Sequence, residues 1–132
     1  MMREEWIALA ERIEKATGPD REIDKAIVAA LGYSWRGMAY WDNATSTKTL
    51  PGTVLYAGSL DAITALIERE FPNNKWAARR LEIGAKAMLD PIPAKDKIDP
   101  ALRTAIYADA ETPALALCVV FCRAMAERVP KT

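Results

Sequence analysis

Between Tyr33 and Pro51 the chain gathers flat rings, cations and hydroxyls in one short stretch. Trp35, Tyr40 and Trp41 offer faces for stacking on a base. Arg36 and Lys48 offer charge to a phosphate, and Asn43, Thr45, Ser46 and Thr47 offer hydrogen bonds. Together these residue types suit a nucleotide, although no glycine-rich phosphate motif accompanies them. The competing reading makes Trp35 and Trp41 hydrophobic anchors that pin a loop or build an interface between subunits.

A second set of candidates is Arg79 and Arg80. They sit in a basic stretch, Lys75 to Arg103, with seven cationic and four acidic residues. On a strand these adjacent arginines face opposite ways, so that one can meet a ligand while the other is solvated. The plainer reading is a charged sheet edge that discourages aggregation. Asp20, Glu22 and Asp24 lie within about a helical turn, but carboxylates at a helix N-terminus are what the dipole favours, and Asp109 and Glu111 stand in the same relation to a later helix. No metal ligand set and no cofactor is expected from them.

Histidine is absent, which removes serine–histidine and cysteine–histidine catalysis and imidazole metal sites. Cys118 and Cys122 are the only two cysteines and lie four apart in an apolar run, a spacing that suits neither an ordinary disulfide nor a zinc site. Buried free thiols are expected. Any general acid–base work would fall to carboxylates, lysine or tyrosine, so a non-enzymatic role is expected.

The elements that must position these residues follow from pattern. A length of 132 residues suits one domain, and eighteen basic against eighteen acidic residues argue against non-specific nucleic-acid or membrane binding. No apolar run reaches the roughly 20 residues that span a bilayer. Met1 to Trp6 lacks a signal-peptide core, so a cytoplasmic location is expected. Trp6, Leu9, Ala10, Ile13 and Ala16 form one face of a helix over 3–16. Pro19, Asp20 and Glu22 open a second helix, with Pro19 in its first turn, and Gly32 closes it. Residues 33–51 read as a long loop and Thr53 to Tyr56 as a short strand; Ser59 caps a third helix with Leu60, Ile63, Leu66, Ile67 and Phe71 on its apolar face.

Trp76 to Leu89 alternates like a strand, with a bulge or turn at Gly84, although its alanines favour helix. Ala101 to Ala108 reads as a strand or a short helical turn. Thr112 and Pro113 then start a helix that is apolar through Cys122 and so should be buried nearly all round.

Three blocks resemble a known family. Glu14 to Asp24 (EKATGPDREID), Tyr56 to Ala62 (YAGSLDA) and Thr112 to Cys118 (TPALALC) are similar, in the same order, to segments of small phage and prophage proteins carrying the phage ABA sandwich domain. The resemblance implies an α+β fold, an α/β/α sandwich with a small sheet covered by helices and a central apolar C-terminal helix, encoded by a phage or prophage. It implies no reaction and no site residues. The stretch after Trp76 departs from the family, being rich in alanine and arginine where its members more often show a compact hairpin.

The expected function is therefore binding: a phage accessory protein that sequesters a nucleotide-type host defence signal. The alternative is an inhibitor or adaptor directed at a host protein, and a small-molecule enzyme comes third. Four tryptophans in so short a chain suggest a homo-oligomer under any of these readings.

Overall fold

The computed structural model describes residues 3–36, 39–42, 48–50, 56–72, 74–91 and 105–128. Its helices are α1 (Arg3–Glu14), α2 (Arg21–Ala30), α3 (Leu60–Glu70) and α4 (Pro113–Arg128). Its strands are β1 (Tyr33–Arg36), β2 (Ala39–Asp42), β3 (Lys48–Leu50), β4 (Asn74–Arg80), β5 (Ala85–Pro91) and β6 (Ile106–Ala110). The fold is α+β, with one antiparallel sheet of order β1-β2-β3 and another of order β4-β5-β6.

The apolar run begins where a helix must. Thr112 accepts from the Leu115 N–H through Oγ1 at 3.2 Å and from the Ala116 N–H through its carbonyl at 2.9 Å, and Pro113 lacks only a donor that would be orphaned there. Every residue of α4 from Ala114 to Cys122 is buried. This works because α4 is an inner layer. The β4–β6 sheet covers one side through Ala85, Ala87, Leu89 and Ala108, all buried, and the alanines let helix and sheet approach closely. Against the other side α1 sets Trp6 edge-on to Phe121, centroids 6.0 Å apart, and Phe71 at the end of α3 meets the same ring at 6.1 Å. Charge returns at Arg123, which donates to the Tyr107 carbonyl at 2.9 Å and pairs with Glu14, tying α4 to β6 and α1.

The other helices follow their caps. Asp20 is extended (φ −143°, ψ 120°) and its carboxylate accepts the Glu22 N–H at 2.8 Å, so Asp20 is the N-cap and Pro19 precedes the helix instead of entering its first turn. Gly32 closes α2 at φ +89°, a conformation that disfavours side chains. Ser59 caps α3, and Phe71 is buried at its end, whereas Leu60 is exposed.

One expectation needs correction. Residues 33–51 are not a structureless loop: β1, β2 and β3 form an antiparallel meander, with Trp35 opposite Tyr40 and Ser34 opposite Trp41. Strands of three or four residues are too short for period-2 alternation to stand out, yet Tyr33-Ser34-Trp35-Arg36 does alternate. Of the expected Thr53–Tyr56 strand, 53–55 fall outside the described residues and Tyr56 lies in a turn.

Alternation does win over alanine content from Trp76 to Leu89. β4 and β5 form a regular hairpin from Asn74 opposite Pro91 to Arg80 opposite Ala85; of the ambiguous 101–108 stretch, residues 106–108 belong to strand β6 and 101–104 lie outside the described residues. Gly84 turns the hairpin at φ +77°, and a Cβ there would lie 2.8 Å from the Ala110 carbonyl oxygen. No helix among the described residues is long and apolar enough to cross a membrane.

Candidate binding surface

The inner residues of β5 and β6 serve the core, so the alternate residues of the sheet are presented outward. Register places Ala77 opposite Met88 and Arg79 opposite Lys86, while β6 sets Tyr107 opposite Met88 and Asp109 opposite Lys86. Ala77, Arg79, Lys86, Met88 and Tyr107 line a shallow concavity of about 210 Å³ on this open face. Its floor is almost wholly apolar, Tyr107 is 59% exposed, and the two cations stand at one end.

The arrangement of charge is the unusual feature. Arg79 and Lys86 are directly opposed cations, which on an antiparallel pair repel unless an anion lies between them. Lys86 leans on Asp109 at 3.9 Å, a weak exposed contact, and Arg79 makes no ion pair among the described residues. An anionic group held by Arg79 and Lys86, with an apolar or aromatic body over Met88 beside the Tyr107 ring, would relieve the repulsion and cover the floor.

The residues named from sequence are divided by the fold. Arg79 borders the concavity, but Arg80 has the opposite parity at the end of β4 and opposes Ala85. Trp35 and Arg36 lie in β1, Tyr40 and Trp41 in β2, and Lys48 opens β3. Trp35 and Trp41 occupy positions of opposite parity in the meander. Asn43, Thr45, Ser46 and Thr47 lie outside the described residues.

Sequence reasoning did not single out Lys86, Met88 or Tyr107 as candidates. The alternation of Lys86 and Met88 against Ala85, Ala87 and Leu89 was a signal for the first two; Tyr107 had none, because its element was undecided between strand and turn.

A buried node lies near the N-terminus of α2. Asp24, 4% exposed, accepts the Ala57 N–H at 2.8 Å through Oδ1, and the Cys118 thiol donates to the Tyr56 carbonyl at 3.2 Å. The turn at Tyr56–Gly58 is thus clamped to α2 and α4 at once. Burial pushes the Asp24 carboxyl above the ordinary carboxylate range, against the pull of the Ala57 N–H and Arg21. Burial likewise pushes the Cys118 thiol well up, helped by Cys122 and then Asp24, and burial raises Cys122 too. Both are free, buried thiols held protonated, poor nucleophiles and poor metal ligands. Among the described residues no cluster of three or more acidic or thiol groups is placed to hold a metal ion.

Comparisons with family models, with curated proteins and with solved structures found no match for this chain.

Proposed function

We propose that this protein acts by binding, and that the open face of β4–β6 takes a flat, anion-bearing ligand of the nucleotide class. The observation that carries the reading is the opposed Arg79–Lys86 pair at one end of an apolar concavity bordered by Tyr107. Phosphate would sit between the cations and the base would lie over Met88 against the Tyr107 ring. A site built from stacking and charge, with the neighbouring Asp109 carboxylate turned to Lys86, suits holding a ligand and not converting it. The similarity of three sequence blocks to phage and prophage proteins gives the reading its setting, the removal of a host nucleotide signal inside the bacterial cytoplasm.

Calorimetry against mononucleotides, cyclic dinucleotides, cyclic trinucleotides and ADP-ribose derivatives tests it. Binding of at least one class is expected, with the ligand recovered unchanged and affinity reduced roughly tenfold or more by Lys86→Thr or Tyr107→Thr. A flat response across the set, or binding indifferent to both substitutions, overturns it.

A further inference from the structure

The open face ends at a sheet edge with its own character. β4 is the outer strand of the order β4-β5-β6, and all seven of its residues are exposed or half-buried. Natural sheets blunt such an edge with proline, a bulge, a very short strand or a cover. β4 contains no proline, pairs with β5 without a register shift and keeps Ala77 and Ala78 at its centre, where small side chains leave the main chain accessible. Among the described residues the one protective device on this edge is charge. Lys75, Arg79 and Arg80 are its only ionisable residues, so a second copy pairing β4 to β4 would bring cation to cation.

Charge that repels a copy of the same strand attracts an acidic one. Register sets Lys75 opposite Asp90, which leaves Arg79 and Arg80, one on each face, as the cations without an opposed acid. Trp76, 36% exposed, adds an aromatic surface four residues before Arg80, anchored by its Nε1–H donating to Glu68 at 3.3 Å.

We propose that the β4 edge is a docking strand for an acidic, extended segment of a partner protein, which adds antiparallel to the sheet as a fourth strand. Two consecutive Asp or Glu residues of that segment lie opposite Arg80 and Arg79, and an apolar residue three positions after them lies opposite Trp76. Main-chain hydrogen bonds supply affinity, and the two arginines supply selectivity and register. The inference shares Arg79 with the nucleotide reading and is told apart from it by what each needs besides: the free edge and Arg80 here, Lys86 and Tyr107 there.

The test uses a fluorescently labelled synthetic peptide, two glutamates followed by five alternating valines and threonines, titrated against the full chain by anisotropy. Binding is expected, with at least a tenfold loss when lysines replace the glutamates and a reversal of that preference in the Arg79→Glu, Arg80→Glu double variant. N-methylation of alternate peptide amides discriminates strand addition from adhesion. Methylating one phase should abolish binding and the other should leave it within about threefold. Lys86→Thr and Tyr107→Thr should leave peptide affinity unchanged. Equal affinity for acidic and basic peptides, indifference to the phase of methylation, or a dimer in light scattering that excludes the peptide would each overturn the proposal, the last by placing a second copy on the edge.

Discussion

The two faces of β4–β6 are made from the same strands and differ in everything that matters for function. Inward, Ala85, Ala87, Leu89 and Ala108 are buried against α4, and their sizes are dictated by how closely helix and sheet approach. Outward, Lys86, Met88 and Tyr107 share those backbones, but no described helix lies over them, and they carry opposed cations that folding alone does not favour. One residue of offset separates a position whose job is packing from one free to meet a ligand. An unfavourable arrangement on the free face is therefore more informative about function than any favourable one on the packed face.

Three measurements would break or sharpen this contrast. Leu89→Ala should lower unfolding free energy by about 2–5 kcal/mol in denaturant titration, because the side chain is fully buried and its truncation leaves a cavity. A loss comparable to that of outward substitutions would mean that the inner face is not the packed one.

The next effect lies at the clamp that holds the Tyr56–Gly58 turn. Asp24→Ala leaves the Ala57 N–H without its acceptor and should cost about 1–3 kcal/mol. Asp24→Asn retains an acceptor and removes the titration. Because burial raises the Asp24 carboxyl in the folded state above its ordinary 3.8, the folded protein binds that proton more tightly than the unfolded chain. Its contribution is most favourable below 3.8 and declines as pH rises from there through the folded-state value. Asp24→Asn should accordingly gain on the wild type as pH climbs through that window and level off above it. A difference independent of pH between the two proteins would show that burial does not govern this carboxyl.

The smallest effect should come from the outer face: Lys86→Thr and Tyr107→Thr are expected to change stability by no more than about 0.5 kcal/mol while removing ligand binding. A large loss of stability in either would return that residue to the core and the surface reading would fail with it.

Much of the scaffold was legible because local chemistry specifies it. Thr112-Pro113, Ser59 and Gly32 mark helix ends wherever they occur in such contexts, and the all-round apolarity of Ala114 to Cys122 requires an inner layer. The meander at 33–50 was not legible, since its strands are too short for a period to accumulate and gain their identity only from each other. The candidate site was half legible. Arg79 and Lys86 were visible as charges, but their opposition across a hairpin depends on the turn at Gly84, whose φ of +77° and close approach to Ala110 set the register.

The sequence by itself determined the helices, their caps, the alternation of β4 and β5 and the burial of α4, because each follows from interactions within a few residues. Only the tertiary structure decided that Tyr107 joins Met88, Arg79 and Lys86, that Trp35 and Trp41 stand at positions of opposite parity, and that β4 is left at an edge. Those are matters of strand order and register, which arise from pairing between segments distant along the chain and are written in no single one of them.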